Sequence, residues 1–361
     1  MRSAVSALLL ALLLSVPARA EKEGPAFTYM GFPSFSVPSL DAGKEGEPQL
    51  LVEASPAADD FSAVIFHGRL QKTAAVVIEG AVRCGGDWGE WTRAEVEVFR
   101  RGRFWGRVEV AGEKGCILGL RVLRPQGPGA SILFFEVEGV PLDQAAYDIS
   151  RPRKVSYLAG EPALPTVAIV ARREWGARPA AAPYEPMYPE LITVHHTEGE
   201  LLTDPDDALD EMAVIQRYHQ RGRGWNDIGY HYLIDGAGRV YRGRPANVVG
   251  AHVGVNNEGN IGVSLMGNFM GKRKPTEAQL AALAVLLRGL THAYGIEPER
   301  ILGHRDQMKT SCPGTNLYSR LPDLRKAAAE PVPPPQKGPT LTTSLRLPVL
   351  EISFDGSGGG W

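Results

Sequence analysis

Leu191-Ile192-Thr193-Val194-His195-His196-Thr197 joins a short apolar run to a pair of histidines. Leu191 to Val194 reads as a buried strand. An open α/β sheet places its chemistry beyond the ends of such strands, where His195 stands. Outward from it the pattern stays α/β. Asp204-Pro205-Asp206 opens a helix, with acids suited to its N-terminus, expected to run to about Arg221. Tyr230 to Ile234 and Arg239 to Tyr241 form a hairpin around Asp235-Gly236-Ala237-Gly238, in which Tyr230 and Tyr232 share a face and His231 points away. Asn260 to Met266 is a further strand. Pro275-Thr276-Glu277 starts a helix striped by Leu280, Leu283, Leu287 and Leu290, and Gly295 stops it. A last helix is expected over residues 317–328.

Two more contexts carry side chains able to hold a metal: Gly303-His304-Arg305-Asp306 and Ser311-Cys312-Pro313-Gly314. A lone histidine is more often structural, and Cys312 alone could be a buried inert thiol. Together, two imidazoles and one thiolate suit a tetrahedral Zn²⁺. Three protein ligands leave one position for water, as hydrolytic zinc chemistry requires. A Zn²⁺ so held lowers the pKa of bound water to about 7.

The rest of the chain differs in character. Residues 1–20 read as a secretory signal: Arg2, an apolar run from Ala4 to Val16, and the small-x-small pattern Ala18-Arg19-Ala20. The run is short of the roughly 20 apolar residues that span a bilayer, and no later stretch reaches that length. Export to the periplasm or the extracellular space is expected, with no transmembrane segment in the mature chain. Residues 21–60 look irregular. Between Phe61 and Val140, Ala74 to Ile78, Glu95 to Phe99, Arg107 to Val110, Cys116 to Leu123 and Ile132 to Val137 are candidate strands. Their spacing suggests an all-β sandwich. Residues 141–166 read as a linker, residues 167–330 as the α/β domain, and residues 331–361 as a Pro/Gly-rich tail. With Cys312 on a metal, Cys84 and Cys116 remain as the one possible disulfide pair, against two unpaired buried thiols. Loss of residues 1–20 removes two of the 39 basic residues and none of the 41 acidic ones, leaving a charge of −4 and no support for nucleic-acid binding.

Residues 170–325 resemble the peptidoglycan recognition proteins, the fold shared with type 2 N-acetylmuramoyl-L-alanine amidases. The matching segments include Arg173-Glu174-Trp175-Gly176-Ala177, Val194-His195-His196-Thr197, Gly224-Trp225-Asn226-Asp227-Ile228-Gly229-Tyr230, Gly250-Ala251-His252, Gly267-Asn268-Phe269, Gly303-His304-Arg305 and Cys312-Pro313-Gly314. The resemblance implies a mixed β-sheet flanked by helices, with a groove for a muropeptide; the chain is expected to be a monomer. It implies zinc on His195, His304 and Cys312. Tyr230 falls where the family has the tyrosine that helps activate water or stabilise the transition state, and Thr310 falls at a supporting position. Thr197 and Trp225 are expected to line the groove, and His252 either to contact it or to make a structural hydrogen bond; His196, His219 and His292 are expected to pack or lie at the surface, with His196 also a candidate to support a ligand; Asn268 and Arg305 are expected to brace the site. Members that only bind peptidoglycan have typically replaced the cysteine ligand, and this chain keeps it.

The reaction expected is hydrolysis of the amide between the lactyl group of MurNAc and L-alanine, the Tyr230 phenol donating to the oxyanion. The rivals are a binding module that does not cut, and a zinc amidase for another N-acyl amino acid. After Tyr241-Arg242-Gly243-Arg244 the chain reads Pro245-Ala246-Asn247 where the family usually has Gly-Trp before Asn. The groove wall and stem-peptide preference therefore do not carry over. Trp88-Gly89-Glu90-Trp91 reads as sandwich core or edge before it reads as a sugar platform.

Overall fold

The computed structural model describes residues 40–41, 49–53, 57, 59–71, 77–123, 131–140, 161–162, 164 and 167–332. The expected signal, most of the expected linker and nearly all of the expected tail lie outside these. Among the described residues, no helix is long and apolar enough to cross a membrane.

The N-terminal half folds as two packed antiparallel sheets. Its strands are β1 (Leu40–Asp41), β2 (Gln49–Glu53), β3 (Ala63–Gln71), β4 (Val77–Arg83), β5 (Thr92–Arg93), β6 (Glu95–Val98), β7 (Arg103–Val108), β8 (Ile117–Leu123) and β9 (Ser131–Val140). One sheet runs β1-β9-β3-β7-β6 and the other β2-β8-β4-β5. Phe66, Phe104 and Val108 of the first meet Ile78, Leu118 and Leu120 of the second in one core, the layered packing of a sandwich. A disulfide joins Cys84 to Cys116. Two expectations are corrected. Residues 21–60 contain strands β1 and β2, and the long strand β3 stands where none was singled out. In β3, His67-Gly68-Arg69 interrupts the apolar run because this segment meets another part of the chain, described below.

The C-terminal half contains β10 (Ile169–Val170), β11 (Leu191–His196), α1 (Pro205–Arg217), β12 (Tyr232–Ile234), β13 (Val240–Arg242), β14 (Asn260–Leu265), α2 (Glu277–Tyr294), β15 (Ile301–Gly303), α3 (Thr315–Tyr318) and α4 (Leu321–Ala328). The sheet order is β10-β13-β12-β14-β11-β15, with only β12 and β13 antiparallel. Every residue of β14 is buried, as a central parallel strand covered on both faces requires. Successive residues of β11 divide between the faces. Ile192 and Val194 pack with Leu283, Leu287 and Leu290 of α2. His195 is left for the face where α1 lies with Trp175, Leu233 and Tyr241.

Local chemistry sets the helix ends. The Asp204 carboxylate caps α1 by accepting from the backbone N–H groups of Asp206 and Asp207. Thr276 and Gln279 form a reciprocal cap on α2, and Gly295 closes it at φ 67°. The first helix stops short of the expected Arg221 and continues as a single π turn, Tyr218–Gly222. The last helix is broken at Ser319-Arg320. Pro322, without an N–H and with a ring that would clash inside a continuous helix, sits in the first turn of α4.

Strands β3 and β7 dock on α1 and the π turn. Trp105 is wholly buried there with Ala63, Ile65, Val140 and Tyr218. Arginine–carboxyl contacts surround this apolar contact: Arg103 with Glu211, Arg217 with Glu97 and Arg223 with Glu138.

Candidate metal centre

His195 lies near the carboxyl end of β11, and His304 follows directly on β15, its parallel neighbour. Adjacent parallel strands thus deliver both rings to one place, with centroids 4.6 Å apart. Cys312 arrives from the following loop, its Sγ 3.6 Å from His195 Nδ1. One ligand atom from each of the three residues lies within 4.8 Å of the others, and all three side chains are buried.

The loop is held from several sides. The Arg305 backbone N–H donates to the Cys312 carbonyl at 3.1 Å, and the Arg305 guanidinium grips the Ser311 carbonyl. The Thr310 hydroxyl accepts from the Cys312 backbone N–H at 3.1 Å. Thr310 therefore shapes the loop by this bond. Gly314 takes φ 84°, and a Cβ there would come within 2.7 Å of the Phe269 backbone.

These residues fit Zn²⁺. Both ring nitrogens of His304 are buried without a hydrogen-bond partner, a costly state unless an ion takes one of them. Burial lowers the affinity of His195 for a proton, with the charges of the neighbouring imidazoles adding to it, and brings His304 down to about 3. Both are thereby kept in the neutral, ligating form. Burial also pushes the Cys312 thiol well up. A dication beside the sulfur reverses that preference, since its charge stabilises the thiolate.

His252 takes the structural of its two expected roles. It is buried, its Nδ1 lying 3.0 Å from His195 Nε2 and its Nε2 accounting for the Asn260 carbonyl, also at 3.0 Å. It thereby orients the ligand ring and has no nitrogen left for substrate. Trp225 is likewise buried, its ring tilted against His219 at 4.8 Å and covered by the Arg223 guanidinium. Thr197 lines a small cavity, and its hydroxyl accepts from the Gly267 N–H. His231 is fully buried, bonded to the Val248 carbonyl and the Gly262 N–H.

Tyr230 precedes β12 and packs beside α1, whereas Tyr232 packs in the α2 core. The two do not share a face, because the regular strand begins only at Tyr232. Tyr230 sits 5.2 Å, ring to ring, from His195. Burial, with the negative charges of Cys312 and Glu136, pushes its phenol up, so it remains a hydrogen-bond donor at neutral pH.

Tyr230 and Cys312 line a cavity of about 30 Å³, room for a water or two. Its other wall was not foreseen: His67, Arg103 and Glu136 come from the β domain. Glu198 is there too, at φ 56°, with Oε1 on His196 Nε2 at 2.9 Å and a buried Oε2 that has no partner. A hint of this wall was present in Phe134-Phe135-Glu136-Val137-Glu138, where two acids alternate inside an apolar strand.

The family model described as N-acetylmuramoyl-L-alanine amidase matches residues 185–315. Peptidoglycan-recognition protein SC2 of Drosophila simulans is 38% identical over 157 residues, covering 43% of this chain and 85% of that protein. Peptidoglycan recognition protein 1 of Bos indicus is 38% identical over 153 residues, covering 42% of this chain and 80% of that protein. Among solved structures, the endolysin N-acetylmuramoyl-L-alanine amidase LysCS from Clostridium intestinale URNW is 33% identical, with a TM-score of 0.36, over 43% of this chain and 93% of that one.

Proposed function

Because the chain belongs to the family of peptidoglycan recognition proteins and type 2 amidases, we propose that it is an exported zinc amidase cutting peptidoglycan between MurNAc and L-alanine. The observation that carries this reading is the convergence of His195, His304 and Cys312, with the buried His304 nitrogens otherwise unpartnered. When bound there, zinc supplies a Lewis acid that polarises an amide carbonyl and acidifies water.

The chain's own residues do the rest. His252 fixes the His195 ring through the nitrogen facing away from Cys312. Arg305 and Thr310 fix the cysteine loop. The Tyr230 phenol, undissociated at neutral pH, donates to the oxygen that gains charge as the carbonyl is attacked. The buried surroundings exclude bulk water and strengthen that bond. Export is inferred from residues 1–20.

Purified protein supplied with zinc should hold about one ion per chain and release stem peptides with a free L-alanine amino terminus from sacculi. Cys312→Ser should lose both. Metal-free protein that binds muropeptides without cutting them would instead identify a recognition module. Cleavage of small N-acyl amino acids but not of sacculi would place the substrate elsewhere.

A further inference from the structure

We propose that Glu136, carried by the β domain, is a proton-transfer residue of the amidase site: it takes a proton from the attacking water and returns it to the departing alanine nitrogen. This rests on the amidase reading above. Glu136 lies on β9 opposite His67 on β3, next to a bulge at His67-Gly68. Bulges re-aim side chains, and here both point into the cavity that also holds Tyr230 and Cys312. Glu136 Oε2 is 3.0 Å from His67 Nε2 and accepts from the Tyr218 hydroxyl at 3.3 Å.

Two residues along the same strand face, Glu138 is buried beside it. Glu138 Oε2 is held by Arg223, while its Oε1 has no N–H or O–H donor. A proton shared between the two carboxyls satisfies that oxygen. Burial pushes both carboxyls up; Arg223 and Tyr218 oppose this at Glu136, and Glu198 across the cavity adds to it. The proton on Glu138 leaves Glu136 the acceptor of the pair.

Most of the other groups in and beside the cavity are committed. His195, His304 and Cys312 converge as ligands. Tyr230 keeps its proton. Glu211 is locked in two bonds to Arg103. Glu198 Oε1 is tied to His196 and Ser311, but its buried Oε2 is unpaired, which makes Glu198 the competing proton acceptor. The step balances without a co-reactant. Water oxygen bonds to the carbonyl carbon, and one water proton passes to the Glu136 carboxylate, directly or through a second water. The C–N bond then breaks with its electron pair on nitrogen, and the proton moves from Glu136 to that nitrogen. The products are a carboxylic acid and an amine. Since Glu136 acts first as a base, turnover needs its ionised form. Its raised proton affinity therefore puts the acid limb of activity above the usual carboxylate range.

The test uses full-length protein, checked for equal zinc content, on a soluble muropeptide. Glu136→Gln should lower kcat by about 10²-fold or more with little change in KM, and should abolish the acid limb. Glu136→Asp should give an intermediate kcat and keep the limb. A Glu136→Gln protein within about threefold of wild type with the same pH profile overturns the proposal, as does loss of the limb in Glu198→Gln instead. Independently of turnover, the Glu136 carboxyl carbon in ¹³C-labelled protein, assigned by its loss in Glu136→Gln, should titrate above 4.5, the ordinary value. Titration at or below it overturns the proposal too. A wild-type protein that frees no L-alanine amino terminus removes the amidase reading, and this inference with it.

Discussion

Arg103→Met removes the cation that faces Glu211 across the junction of the β domain and α1. Its Nε donates to Glu211 Oε2 at 2.6 Å and its Nη2 to Oε1 at 2.7 Å, with side chains only 6% and 4% exposed. Burial alone would raise the Glu211 carboxyl, but the Arg103 charge and these two bonds outweigh it and hold the group below its ordinary 4.5. Without Arg103 a desolvated carboxylate remains, and the Gly68 carbonyl loses a donor. Removing one partner of a buried pair costs about 3–5 kcal/mol. The pH dependence follows from the signs. In the wild type, the folded-state value lies below the unfolded one, so the stabilisation is complete above the unfolded value and disappears as acid reaches the folded value. In Arg103→Met, burial is opposed only by the lesser effects of His67 and Arg69 and raises Glu211, so the penalty is full at neutral pH and fades as the group protonates. Urea unfolding, followed by circular dichroism and tryptophan fluorescence, should show a gap of about 3–5 kcal/mol near pH 7 that narrows towards pH 4. Arg103→Met with Glu211→Leu should recover most of the loss, because no charge stays buried. A cost under about 1 kcal/mol at pH 7, or a gap that widens in acid, would refute the reasoning.

Three further expectations can be checked separately. Tyr230→Phe should retain zinc by elemental analysis yet lose about 10²–10³-fold in kcat, since one donor to the oxyanion is gone; unchanged kcat would remove Tyr230 from the chemistry. Gly262→Ala places a Cβ 2.8 Å from the His252 ring, which must move away from His195. Zinc affinity, measured by chelator competition, should fall about 10–100-fold. Opening Cys84–Cys116, whose partners are 32 residues apart, should lower stability by about 3–4 kcal/mol in reducing urea titrations; an unchanged midpoint would show that the bridge adds nothing.

The α/β half was legible because its signals are local. Pro275-Thr276-Glu277 and Gly295 marked the ends of α2, and the leucine stripe marked its buried face. The ligand trio could be read from residue type and context, since few side chains bind zinc. Other readings failed where the reason was not local. Tyr230 and Tyr232 were assigned one face on the premise of a regular strand, but the ladder begins at Tyr232 and the preceding residues bond elsewhere. Residue type could not choose between groove and fold for His252, whose nitrogens are both used inside the fold. The expected helical end at Arg221 was lost to a π turn that meets the β domain.

By itself, the sequence determined strands, helices, a disulfide candidate and three metal-capable side chains. Each follows from propensity, periodicity or donor chemistry within a few residues. Only the tertiary structure decided that Arg103 meets Glu211, 108 residues away, and that Glu138 meets Arg223 over 85. Only it put Glu136 in one cavity with Cys312. A charge is tolerable in the interior only against a partner, and which partner reaches it depends on how two folded surfaces dock. No pattern along either segment records that.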